Sequence, residues 1–311
     1  MAEFRFELEK GGLKYTCPAC KVRGKFRRYI DKSTGEYVAD EVGLCDRSNN
    51  CKYHFTPKEY FLMTGKNPFS APKPAMKLQP KPEPVQPSFI DTKIMQASLT
   101  RYNQNNFCRW LCSVFGEQKA FELTARYMIG TSKHRFTNKD FSGYRSDAGS
   151  CVFWQIDRDN KIRAGKIMLY DDSGSRVKKP FSHIRWVHEV MQIEPYHLQQ
   201  CLFGEHLLTD QQTPVAIVES EKTAIIASGF IPEYVWLATG GMYNLNKDKL
   251  RSLQSHKVVL YPDLMAFDKW QKIADGLPYV TVSDMLERRA TKADRTAGLD
   301  LADYLLREQT A

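Results

Sequence analysis

The chain of 311 residues exceeds the ~100–200 residues of an ordinary domain, so two domains, or a main domain with an accessory module, are expected. Its 45 Lys and Arg against 36 Asp and Glu give a formal net charge of +9, a balance that attracts polyanions such as nucleic acid. A hydrophobic content of 42% excludes wholesale disorder, and no apolar run approaches the ~18 residues of a membrane span. The opening MAEFRFELEK lacks the apolar core of a secretory signal, which points to a cytoplasmic protein whose eight cysteines are thiols or metal ligands.

Residues 1–64 form the first expected module. Cys17 and Cys20 in CPAC, and Cys45 and Cys51 in CDRSNNC, flank a segment, KFRRYIDKSTGEYV, that reads as two strands around an STGE turn. Folding back at that turn brings the pairs together, and four thiolates then suit one tetrahedral, structural Zn²⁺. His54 follows closely enough to be an alternative ligand. A module of this size has little core, so the metal supplies folding free energy. Lys21, Lys25, Arg27 and Arg28 offer a nucleic-acid contact or a solvated face. Residues 65–88 hold seven of the 15 prolines and read as a semi-rigid linker.

Residues 89–213 read as a basic α+β domain. Cys108 and Cys112 fall on a predicted helix, FCRWLC, and with Cys151 and Cys201 are expected as core thiols. The stretch CVFWQIDRDNKIRAGKIMLY alternates as a hairpin around DRDN. It carries Lys161, Arg163 and Lys166, and Arg176, Lys178 and Lys179 follow. These residues are strand contacts or plain surface charge, and Phe153, Trp154, Tyr170, Phe181 and Trp186, interleaved with them, offer stacking surfaces for a single strand, with several of the five expected as core.

From residue 214 the pattern becomes PVAIVE, EKTAIIASGF, YVWLATGG, KDKLRSL, KVVLYPD and YVTV. Continuous β-branched runs alternating with helical segments are the mark of a parallel sheet covered on both faces. Ligands bind beyond the carboxyl ends of such strands. Glu219, Gly240, Gly241 and Asp263 all fall there, and Asp300 and Asp303 are three apart on a terminal helix. Carboxylates converging on one rim suit Mg²⁺ or Mn²⁺ bridging to phosphate oxygens. This last third carries 12 Lys and Arg against 13 Asp and Glu, so the positive excess belongs entirely to residues 1–213.

At these residues the sequence resembles the Toprim domain shared by bacterial primases, topoisomerases and related nucleases. The turn VES with its following helix, the glycine turn, VVLYPD and DLADYL match the order of that domain's acidic motifs. Glu219 and Asp263 align with its glutamate and first aspartate, and Asp300 and Asp303 with the acidic end of the primase version. The resemblance implies Mg²⁺-dependent phosphoryl chemistry. Two positions depart from it: Met265 stands where the second aspartate of the Asp-x-Asp motif is expected, leaving Asp268 three residues further on as a substitute, and Ser220 replaces a glycine.

FELTARYMIG and the basic hairpin resemble the primase core upstream of that domain. The whole layout is similar to primase-like proteins of bacterial mobile elements. The fold expected is therefore a multidomain α/β and α+β protein: a zinc ribbon (1–64), a Pro-rich linker (65–88), a basic primase-like α+β subdomain (89–213) and a Toprim-like α/β domain (214–311). The function implied is Mg²⁺-dependent nucleotidyl transfer on a DNA template, single-stranded, with nucleoside triphosphates as substrates. Replication or transfer proteins are the expected partners. A catalytically weakened DNA-binding protein and a Toprim nuclease are the alternatives.

Overall fold

The computed structural model describes residues 4–9, 14–47, 51–65, 86–138, 140, 143–241 and 243–310. The chain divides into two compact units, 1–83 and 84–311. Residues 66–85, most of the expected linker, lie outside the described residues. Among the described residues no helix is long and apolar enough to cross a membrane.

The first unit is an antiparallel sheet of β1 (Phe6–Leu8), β2 (Phe26–Asp31), β3 (Gly43–Cys45) and β4 (His54–Phe55), paired in that order. Helix α1 (Pro57–Thr64) follows; the Thr56 hydroxyl accepts the Glu59 amide, and the Glu59 carboxylate accepts the Thr56 amide. The STGE turn is anchored by Asp31, which accepts from the Ser33 amide and hydroxyl and from Arg5. The strand expected after that turn is a single bridge, Ile30 to Tyr37. The segment that pairs with β2 is β3, which itself carries Cys45. Gly43 permits this pairing, because a Cβ there would lie 2.1 Å from the Arg27 carbonyl and 2.6 Å from the buried Phe26 ring.

The second unit begins with α2 (Thr92–Ser98), capped by Asp91, then α3 (Asn106–Phe115), capped by Asn105, and α4 (Glu117–Arg126). An antiparallel sheet follows: β5 (Gly130–Ser132), β6 (Ser150–Ile156), β7 (Ile162–Met168) and β8 (Ile184–Trp186), in sequential order, with α5 (Val187–Val190) after it. Next come β9 (Val215–Val218), α6 (Glu221–Phe230), β10 (Val235–Ala238), α7 (Lys247–Arg251), β11 (Val258–Leu260), α8 (Phe267–Ala274) and β12 (Val280–Val282). These four strands are all parallel, in the order β10-β9-β11-β12. Helices α9 (Met285–Arg289), α10 (Lys292–Ala297) and α11 (Leu301–Thr310) complete the described chain.

Strand alternation sorts the side chains into layers. Cys151, Phe153 and Met168, on one face of the antiparallel sheet, join Ala216, Val218, Trp236 and Ala238 of the parallel sheet and Ile225 and Ile226 of α6 in one core. The other face of the parallel sheet packs Ile217 and Leu237 on Leu250 and Trp270 of α7 and α8. Residues from 89–213 and 214–311 thus share a core, and the Tyr127 hydroxyl ties them further by donating to the Trp236 carbonyl at 3.0 Å. Trp154, on the remaining face, lies opposite Gly165, where a Cβ would come within 2.5 Å of its ring. Of the four thiols expected in the core, Cys108 and Cys151 are buried and Cys201 is half-buried, but Cys112 is exposed. Helix α3 buries the stripe Phe107, Cys108, Trp110 and Leu111, and at ~100° per residue Cys112 falls ~40° further from its centre than Cys108.

Candidate active site and metal centre

In the ribbon, the sulfurs of Cys17, Cys20, Cys45 and Cys51 lie within 4.8 Å of one another. Cys17 and Cys51 are 3.7 Å apart and Cys20 and Cys45 4.0 Å. A tetrahedron with Zn–S bonds of ~2.3 Å has edges of ~3.8 Å, whereas a disulfide requires ~2.05 Å. The four sulfurs therefore fit a structural zinc ion. His54 is turned away, its Nε2 2.9 Å from the Tyr29 hydroxyl.

The second centre lies at the carboxyl ends of the parallel strands. β9 has β10 on one side and β11 on the other, so the chain changes direction across the sheet there and a crevice opens. Glu219 follows β9, and the Gly240 amide after β10 donates to the Glu219 carbonyl at 2.9 Å. Asp263 follows β11. Ser220 caps α6 by accepting the Thr223 amide, and the Thr223 hydroxyl donates to Asp300 Oδ2 at 2.6 Å. Asp300 and Asp303 exchange backbone-to-carboxylate bonds of 3.1 and 3.0 Å, so this pair also opens α11.

Glu219, Asp263, Asp300 and Asp303 line one cleft of about 570 Å³ with Lys166, Arg176, Lys178 and Lys222. Glu219 is only 6% exposed, and its Oε1 has no hydrogen-bond partner. Burial, then a hydrogen bond shared with the Glu219 carboxylate and its charge, pushes Asp263 up to about 9. Burial and Asp300 raise Asp303 as well. Among the described residues only the four cysteines close to direct-ligand spacing; the carboxylates are more open, which suits an ion that keeps several of its waters. A larger cavity of about 710 Å³ opens on the opposite face of the β5–β8 sheet. Its walls combine apolar residues such as Ile167 and Val187 with Lys93, Arg101, Lys133 and Arg135 and contain no carboxylate, so the acid chemistry belongs to the smaller cleft.

The cleft does not take every residue expected of it. Asp268 is exposed on α8, outside the lining, because that helix commits its inward face to Trp270. Lys161, Arg163 and Lys179 also lie outside; Arg163 pairs with Asp157 at 2.6 Å. In the ribbon, Arg27 pairs with Asp46, and Arg28 pairs with Asp40 while lying over the Tyr15 ring, but Lys21 and Lys25 are exposed. Phe153, Trp154 and Tyr170 are buried core, not stacking surfaces. Phe181 and Trp186 are half-buried, with Phe181 stacked on His183.

Sequence reasoning missed Glu221 and Lys222. Lys166 Nζ lies 3.1 and 3.2 Å from the Glu221 oxygens and donates to the Gly240 carbonyl at 3.0 Å, forming a buried pair beneath the glycine turn. Lys222 Nζ donates to the Gly174 carbonyl at 2.6 Å and sits 4.3 Å from the Trp110 ring centre. The available signal was two charges opening the otherwise apolar helix EKTAIIASGF.

Residues 105–264 match a family described as a domain of unknown function, DUF6371, and residues 4–66 match a zinc beta-ribbon finger family. No curated protein matches the chain. The fold is similar to solved primase structures. The primase fragment of the bacteriophage T7 primase-helicase protein is 12% identical, with a TM-score of 0.40, covering 96% of this chain and 98% of that one. The E. coli primase catalytic core is 14% identical, with a TM-score of 0.41 and coverage of 70% and 81%. A DnaG catalytic core is 13% identical, with a TM-score of 0.43 and the same coverage.

Proposed function

The chain belongs to the DUF6371 family, and we propose that it binds a nucleic-acid strand and carries out metal-assisted nucleotidyl transfer in the acid-lined cleft of its second unit. The reading is carried by Glu219: a buried carboxylate whose Oε1 is unpartnered, at the switch point of a parallel sheet, beside an Asp263 raised by burial and by Glu219 itself, in a lining that also holds Lys166, Arg176 and Lys178. A site that crowds two buried acids is unfavourable with both ionised and becomes favourable around a cation that displaces the shared proton. Mg²⁺ or Mn²⁺ would be held by Glu219 and Asp263, and once bound it supplies charge neutralisation at phosphate oxygens.

The protein's own residues would do the positioning. Arg176 and Lys178, exposed at the cleft wall, offer phosphate contacts, and Glu221 and the Gly240 carbonyl hold the Lys166 ammonium in place. The reaction would join a nucleotide's α-phosphorus to a 3′-hydroxyl oxygen with loss of pyrophosphate, a step that depends mainly on alignment and charge. In the ribbon, Lys21 and Lys25 would add strand contacts.

The test is ribonucleotide incorporation on a single-stranded DNA template with Mg²⁺ or Mn²⁺, compared among the native chain, Glu219→Gln and Asp263→Asn. Product is expected only from the native chain, and equal product from all three would remove the site assignment. Met265 favours a second reading, nucleic-acid binding without transfer, which predicts salt-sensitive binding and no product. Under both readings, Arg176→Ala and Lys178→Ala should each reduce the salt slope of single-strand binding by about 0.7. Strand cleavage in the same assay would indicate a nuclease instead.

A further inference from the structure

Building on the reading of the cleft as a metal-assisted site, we infer that it takes one divalent cation, at Glu219 and Asp263, and that the ammonium of Lys222 fills the charge role beside Asp300 and Asp303 that a second ion would otherwise fill. The two acidic halves of the cleft differ in what their oxygens already hold. Asp300 accepts the Asp303 amide on Oδ1 and the Thr223 hydroxyl on Oδ2, and Asp303 accepts the Asp300 amide on Oδ2. Three of their four oxygens are thus committed to protein donors, in an arrangement that also starts α11. Glu219 Oε1 is unpartnered and nearly enclosed. The demand for a cation is therefore at Glu219 and not at the helix start.

Lys222 is fixed, unlike an ordinary surface lysine. Its bond to the Gly174 carbonyl and its seat over Trp110 restrain the ammonium within the cleft lining. Trp110 in turn packs against Gly174, where a Cβ would lie 2.1 Å from the indole. Lys222 lines the same cleft as Asp300 and Asp303, and the hydroxyl of its neighbour Thr223 donates to Asp300. A fixed positive charge there neutralises part of the carboxylate field and opposes a neighbouring divalent ion.

Met265 removes the remaining route to a second ion. It adopts the left-handed region at φ 71°, its amide donates to Glu287 Oε1 at 2.6 Å, and its side chain is 78% exposed. The position two residues beyond Asp263 therefore turns out of the cleft and supplies no ligand there.

The experiment is Mn²⁺ titration of the zinc-loaded full chain, followed by electron paramagnetic resonance to count bound ions, with no dependence on turnover. One Mn²⁺ per chain is expected, lost in Glu219→Gln. Lys222→Arg should remain at one, whereas Lys222→Gln should bind Mn²⁺ about tenfold more tightly or admit a second ion. Two ions in the native chain, or no change in Lys222→Gln, would overturn the inference and leave the metal-site reading standing. No bound Mn²⁺ at all would overturn both. Tryptophan emission checks that each variant is folded, and if Lys222→Gln is not, Asp303→Asn provides an independent test: it should keep the single ion, and its loss would overturn the inference.

Discussion

Lys166→Met tests whether the polar floor of the cleft is as enclosed as its geometry indicates. Methionine keeps most of the lysine stem and deletes the ammonium. The side chains of Lys166 and Glu221 are only 10% and 2% exposed, so the remaining carboxylate cannot recover its hydration without local opening. Removing one member of a buried ion pair costs about 3–5 kcal/mol, and the lost donor to Gly240 adds roughly 1 kcal/mol. A destabilisation of about 4–6 kcal/mol is therefore expected, enough to leave a domain of ordinary stability marginal. The double variant Lys166→Met/Glu221→Leu replaces the pair with apolar groups of similar volume and should recover most of that loss. Urea denaturation followed by tryptophan emission is the assay, since all five tryptophans lie between residues 84 and 311 and the signal is specific to that unit. The reasoning fails if the single variant loses less than about 1 kcal/mol, as an exposed pair would, or if the double variant is no more stable than the single.

Three further outcomes follow from the same structure. Cobalt in place of zinc should give the thiolate spectrum of a four-sulfur tetrahedral site, unchanged in His54→Ala and altered in Cys51→Ser; a spectrum that responds to His54→Ala would instead make the histidine a ligand. Arg307 and the Thr291 donors hold the Asp294 carboxyl well below the ordinary aspartate range. Because that value is depressed in the folded state, its stabilisation is fully present above pH ~4 and is lost as the pH falls further; the urea midpoint of Asp294→Asn should accordingly vary less with pH below ~4 than that of the native chain. Gly165→Ala places a methyl 2.5 Å from the Trp154 ring and 2.6 Å from Val187, and such overpacking should cost about 1–3 kcal/mol with altered tryptophan emission. A neutral substitution would show that β7 moves freely there.

The elements that announced themselves in the sequence were those encoded by short spacing. The two cysteine pairs, the hydrophobic runs VAIV, VWLA and VVL, and the acids and glycines closing them are local patterns, and the chain forms the parallel sheet and carboxylate rim they imply. The strand pairing with β2 was less legible, because the space Gly43 leaves for Phe26 depends on a partner strand and not on alternation.

Side-chain roles set by long-range packing were not legible. Glu221 and Lys222 look like ordinary charges at a helix start until a hairpin 55 residues upstream brings Lys166 onto one and Gly174 meets the other. Asp268, Arg163 and the aromatic residues of β6 have suitable chemistry for the proposed site, yet α8, Asp157 and the shared core turn them elsewhere. The sequence by itself determined which strands form and which acids close them, since backbone conformation and strand period are local properties. Only the tertiary structure decided which of those charges face one another, because burial and pairing depend on segments far apart in the chain.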